Sequence, residues 1–201
     1  MMTAKNMFAA MVSAISISIS VHAAEVGKPA PAFSAKDAKG DDVSLEALKG
    51  KIVVLEWINH GCPFVVKHYG SKNMQKLQET YTGKGVVWIT INSGSKASGS
   101  FMQNEKFLSI SADKGSKASH LIADENGTIG KAYSAKTTPH MFVINKEGVL
   151  VYNGAIDSKK TTNPADIPGA ENYVSKALDE VLAGKDVTTS KTEPYGCGVK
   201  Y

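Results

Sequence analysis

Apolar positions along the chain change period several times, and each change predicts an element. Ile52, Val53, Val54, Leu55, Trp57 and Ile58 form a near-continuous apolar run rich in β-branched side chains. Such a run predicts a central strand covered on both faces. The period then becomes helical: Val66, Tyr69, Asn73, Leu77 and Tyr81, with Met74 beside them, predict one helix from Pro63 to Tyr81. Pro63 suits its first turn, where the missing N–H has no intrahelical partner to lose. Gly83-Lys84-Gly85 ends it, and Val86 to Ile91 predicts a second buried strand. Strand, helix, strand with short links implies a parallel pair joined by a right-handed crossover.

Further along, Lys39-Gly40-Asp41-Asp42 reads as a hairpin turn near the N-terminus. Asn92 to Ser100, of low complexity, predicts a mobile loop. Phe101 to Ile110 predicts a helix, Leu121 to Ala123 a short strand and Thr128 to Tyr133 a short helix. Met141 to Ile144 and Val149 to Tyr152 are strands joined by the turn Asn145-Lys146-Glu147-Gly148. Ser158 to Gly169 is a polar excursion, and Val174, Ala177, Leu178, Val181 and Leu182 mark an amphipathic last helix ended by Gly184. The order predicts an α/β fold with a central mixed β-sheet flanked by helices and an N-terminal β-hairpin extension.

The first residues belong to a different kind of segment. Lys5, the apolar stretch Met7 to Val21 and the sites Val21-His22-Ala23 predict a cleaved signal peptide over residues 1–23. Residues 24–184 are then the folded domain and 185–201 a C-terminal tail. The apolar stretch is shorter than the ~20 residues of a spanning helix, so no membrane association is expected after cleavage. The expected location is the periplasm or the exterior, where Cys62 and Cys197, the chain's 2 cysteines, are free to pair. The 23 basic residues counted against 19 acidic ones are all lysines. A mild positive charge without arginine speaks against nucleic acid as a partner.

Cys62 stands between a buried strand and the helix it launches. Unpaired helical N–H groups there favour a thiolate, the reactive form in disulfide exchange and peroxide reduction. The segments Gly27-Lys28-Pro29-Ala30-Pro31-Ala32-Phe33, Leu48-Lys49-Gly50-Lys51, Trp57-Ile58-Asn59-His60-Gly61-Cys62-Pro63-Phe64 and Thr137-Thr138-Pro139-His140-Met141-Phe142 complete a pattern. It resembles the alkyl hydroperoxide reductase/thiol-specific antioxidant branch of the thioredoxin superfamily, in particular its peroxiredoxin-like bacterial members. The resemblance covers essentially the whole mature chain and implies a thioredoxin-like fold. It implies that Cys62 corresponds to the reactive cysteine and that Thr138-Pro139 is a cis-proline loop facing it, with the Thr138 backbone open to a bound peptide or thiol. Asn59, His60, Pro63 and His140 are the expected supporting residues.

Three departures narrow the chemistry. Val65 stands where thioredoxins carry a second cysteine. Asn59 and Leu55 replace the Thr or Ser and the Pro that precede a peroxidatic cysteine, and no arginine is present to polarise a peroxide. Cys197, in Tyr195-Gly196-Cys197-Gly198, reads as a flexible, exposed resolving thiol, or as half of a permanent staple with Cys62. In the chain-entropy picture such a staple stabilises by roughly 5 kcal/mol. The expected function is an exported thiol oxidoreductase acting on a thiol, disulfide or peroxide substrate, with a thiol reductant and no cofactor. The alternatives are a non-catalytic binding module closed by a Cys62–Cys197 disulfide, and a copper or zinc carrier using His60, Cys62 and His140. His68, on the helix, reads as a surface or interface residue.

Overall fold

The computed structural model describes residues 23–201. Residues 1–22, which hold almost all of the expected export signal, lie outside the described residues. The N-terminal hairpin is present as β1 (Ser34–Lys36) and β2 (Asp42–Ser44). The central elements follow as β3 (Val53–Trp57), α1 (Pro63–Gly70), α2 (Asn73–Thr82), β4 (Val87–Gly94), α3 (Asn104–Asp113) and β5 (His120–Glu125). Next come α4 (Thr128–Ala132), the two-residue β6 (Thr137–Thr138), β7 (His140–Ile144), β8 (Leu150–Gly154), α5 (Tyr173–Leu182) and β9 (Cys197–Gly198).

The central sheet has the order β5-β4-β3-β7-β8. β3, β4 and β5 run parallel, while β7 and β8 add in antiparallel fashion. This is the thioredoxin-like arrangement expected from the sequence, with β3 at its centre. Alternation along β3 explains its unbroken apolar run. Val53, Leu55 and Trp57 pack in one core with Ile89, Phe142 and Tyr133. Val54 packs in the other, with Tyr69, Met74, Tyr81, Val174 and Leu178 from the helices. Both faces of the strand are therefore apolar.

Glu56 is the exception inside β3, a carboxylate 1% exposed. It accepts hydrogen bonds from Trp88 Nε1 (2.7 Å), Tyr69 Oη (2.9 Å), Gln78 Nε2 (3.0 Å) and Thr90 Oγ1 (3.3 Å). Burial raises its pKa, against the pull of these donors. The donors stitch β3, β4, α1 and α2 together behind the segment that carries Cys62.

Two expectations are corrected here. The helix from Pro63 to Tyr81 is two helices, because the chain turns at Lys72, whose φ of 64° is left-handed. Tyr69, Met74, Leu77 and Tyr81 all remain buried across the break, so apolar phase gave no sign of it. The expected loop Asn92–Ser100 begins three residues late, since Asn92, Ser93 and Gly94 extend β4 and are buried. Asn92 Nδ2 donates to Ile58 O (2.9 Å), and its Oδ1 accepts from Met102 N (2.7 Å). Ser93 Oγ links Trp57 Nε1 to Asp124. These polar side chains serve internal bonds that low complexity does not reveal.

Candidate active site

The loop from β3 to α1 places Cys62 at the helix start. Asn59 Oδ1 accepts from Gly61 N (2.9 Å), and Asn59 O accepts from Cys62 N (2.9 Å), closing a tight turn. Cys62 then caps α1, with extended φ and ψ of −77° and 125°, and Pro63 opens the helix. Opposite stands the Thr138–Pro139 peptide, which is cis, and Cys62 Sγ donates to Thr138 O at 3.0 Å.

Cys197 lies in the same place. β9 pairs antiparallel with β6, setting Cys197 against Thr138 and Gly198 against Thr137. Cys197 N donates to Cys62 Sγ at 3.4 Å, although 135 residues separate the two. Both cysteines are free thiols. The expectation of a flexible, exposed setting for Cys197 is therefore corrected: its flanking glycine serves a close approach. Gly196 has a φ of 142°, and a Cβ built on it would lie 2.0 Å from Thr138 O. Glycine there lets the backbones touch.

The two thiols are electrostatically unequal. Burial alone would push the Cys62 thiol up, but the Cys197 thiol, the Val65 N–H, the Thr138 side chain and the Cys197 N–H outweigh it, so its pKa is lowered. Cys197 moves the other way, to about 11, through burial and through sharing its proton with Cys62. Of the two, Cys62 is therefore the thiol that gives up its proton more readily.

His60 and His140 do not join this pair. His60 Nε2 meets Ser111 Oγ at 3.3 Å, and its ring packs edge-on against Tyr69 and Phe107. His140 accepts from Lys136 N through Nδ1 (3.2 Å) and donates from Nε2 to Asn153 Oδ1 (2.8 Å). Strand alternation puts its side chain with Phe142 and Ile144, on the face of the sheet away from the core containing Cys62. His60, Cys62 and His140 thus present no common centre for the expected metal alternative, and both imidazoles are neutral, depressed by burial to about 4.

A second set of residues lies beside the thiols. Lys67 and His68 on α1 are 1% and 0% exposed, which corrects the surface reading of His68. Asn73 Nδ2 donates to His68 Nδ1 (2.9 Å), His68 Nε2 donates to Tyr195 Oη (3.2 Å), and Tyr195 Oη donates to Asp157 Oδ1. Lys67 Nζ donates to Lys159 O (2.8 Å) and lies 3.8 Å from Asp157 Oδ2. The Tyr195 ring also meets Phe64, centroid to centroid 5.7 Å. Tyr195 stands two residues before Cys197, so this buried network anchors the strand that carries the second thiol. Its members lie far apart in sequence; a tyrosine two residues ahead of a cysteine was the sole clue.

Known proteins share this frame. The AhpC/TSA family model matches residues 26–153. The thioredoxin-like protein YneN of Bacillus subtilis is 27% identical over 144 residues, 70% of this chain and 79% of YneN. Among solved structures, an uncharacterized conserved protein from Geobacillus kaustophilus superposes with a TM-score of 0.76 at 28% identity, covering 88% of this chain and 92% of that one. A thioredoxin-family thiol:disulfide interchange protein from Chlorobium tepidum shares the fold, with a TM-score of 0.56 at 19% identity over 77% of this chain and 96% of its own. The family match spans most of the chain and includes Cys62, Thr138 and Pro139; the chain belongs to the AhpC/TSA family, a thiol-oxidoreductase family, and builds it on a thioredoxin-like fold.

Proposed function

We propose that this protein is an exported thiol–disulfide oxidoreductase in which Cys62 is the attacking thiolate and Cys197 the resolving thiol. The observation that carries this reading is the meeting of the two cysteines at the start of α1, where Cys197 N donates to Cys62 Sγ at 3.4 Å. Cys62 attacks one sulfur of a substrate disulfide, forms a mixed disulfide and expels the other sulfur as a thiolate that takes up a proton. Cys197 gives up its proton and attacks Cys62 Sγ, forming the Cys62–Cys197 bond and releasing the second substrate sulfur. The substrate disulfide gains two electrons, the protein dithiol loses them, and a thiol reductant restores it.

Peroxide reduction is the less supported branch. It relies on donors preorganised around a reacting peroxide, and the chain has no arginine to supply the forked one. Export rests on Lys5 and the apolar stretch before Ala23. N-terminal sequencing of the protein made in a bacterial host tests it: a mature chain starting at Ala24 supports export, and an intact Met1 rejects it.

Titration of the reduced protein with dithionitrobenzoate tests the two-thiol reading. Wild type is expected to release two thionitrobenzoate ions per chain and end as an internal disulfide. Cys197→Ser is expected to release one and keep the adduct on Cys62. In wild type the first release follows a pH profile with its inflection below the ~8.5 of a free thiol. Equal release from both proteins, or an inflection at or above the free-thiol value, rejects the assignment.

A further inference from the structure

The edge of β6 that would receive a substrate strand already holds one, contributed by the chain itself. Residues 197–198 pair with Thr137 and Thr138, and Val199 N extends the contact to Lys136 O at 3.0 Å. Cys62 beneath is 1% exposed. An external disulfide reaches its sulfur only when this strand lifts away. Two further features say what the place accepts. Position 196 admits no side chain, because any Cβ would meet Thr138 O at 2.0 Å and Thr138 C at 2.7 Å. Position 195 fills a slot between Phe64 and the buried polar pair His68 and Asp157, where a phenol is bonded on both sides.

We propose that residues 195–198 are a resident surrogate of the exchange partner. The site takes an extended segment of a partner protein with a cysteine opposite Thr138, glycine directly before it and a tyrosine two before it, and the tail yields its place to that segment. The inference rests on Cys62 as the exchange thiol. Flanking anchors keep the lift local. On one side Thr192 Oγ1 accepts from Ala155 N (2.9 Å); on the other Lys200 O accepts from Ser95 N (3.1 Å) and Tyr201 Oη donates to Ala135 O (2.7 Å). The strand between them moves while the chain stays docked at both ends.

The test uses full-length Cys197→Ser and Gly196→Ala/Cys197→Ser with a peptide copy of residues 192–200 carrying thionitrobenzoate on its cysteine. Cys62 attacks the peptide sulfur, a Cys62–peptide disulfide forms and thionitrobenzoate leaves with the electron pair, with no net oxidation. Since a closed site reacts only in its open fraction, the variant with the displaced tail is expected to react about tenfold faster than Cys197→Ser. In that variant the copy is expected to outrun, again by about tenfold, a peptide with valine in place of the glycine before the cysteine, because the valine clashes with backbone. Should Gly196→Ala fail to fold by circular dichroism, Tyr195→Ala/Cys197→Ser releases the anchor without a clash and serves the same comparisons. Equal rates in the two proteins, or equal rates for the two peptides, overturn the proposal. Failure of Cys62 to react even with dithionitrobenzoate in every variant overturns the underlying assignment of Cys62, and the proposal with it.

Discussion

Acidification from pH 7 to pH 4 is expected to unfold the protein. His60, His68 and His140 are held neutral in the fold, each lowered from 6.5 to about 4, with burial the largest cause. Charges around them modify this: Lys114 lowers His60 further, and Lys136 lowers His140 while its bond to Asn153 raises it. Asp157 raises His68 while Lys67 lowers it. In the unfolded chain each imidazole takes a proton near pH 6.5, and in the fold only near pH 4. Between those values the unfolded state binds more protons, so stability is complete above pH 6.5 and is lost as pH falls toward 4. Each histidine accounts for on the order of 2–3 kcal/mol across that window. Three together approach the ~5–15 kcal/mol by which a domain is ordinarily stable. Glu56, raised by burial, works in the opposite sense, one group against three. A pH titration followed by tryptophan fluorescence and circular dichroism checks this. A native signal persisting to pH 3 would show that the buried histidines are accommodated as cations.

Replacing Asp157 by alanine is expected to cost about 3–5 kcal/mol in denaturant unfolding, the usual penalty for breaking a buried ion pair from one side. Asp157 is 1% exposed and faces the equally enclosed Lys67. Its other oxygen holds Tyr195 Oη and accepts from Lys159 N at 3.0 Å. The alanine strands an ammonium without its counter-charge and a phenol without its acceptor. Asp157→Leu combined with Lys67→Met is expected to recover most of the loss, because apolar groups of similar volume replace such pairs at little cost. The exposed pair Lys36–Asp42, at 2.8 Å, is the control, and Asp42→Ala is expected to change stability by less than about 1 kcal/mol. A loss at Asp157 no larger than at Asp42 would mean that the network contributes little to holding the tail.

Sequence and structure agree where one physical requirement dominates a stretch of chain. The run Ile52–Ile58 could be read as a central strand because both of its faces are covered. Cys62 at a strand-to-helix junction could be read because the proline after it suits a helix start. What escaped the reading needed knowledge of a partner in space. The glycines around Cys197 look like mobility until Thr138 O is known to lie against residue 196. His140 adjoins Pro139 in sequence, yet strand alternation turns it to the other side of the sheet. His68 looks like a surface or interface residue until Asp157, three residues after β8, is seen to close over it and Lys67.

The pairing of β6 with β9 also has a consequence in time. Chains are synthesised from the N-terminus, so residues 59–63 and 137–139 are made before the strand that pairs with them. For the whole extension of 135 residues between the two cysteines, Cys62 meets its surroundings without the strand that later covers it. A chain cut short before residue 195 lacks the strand that covers Cys62, and its sulfur is expected to stand open.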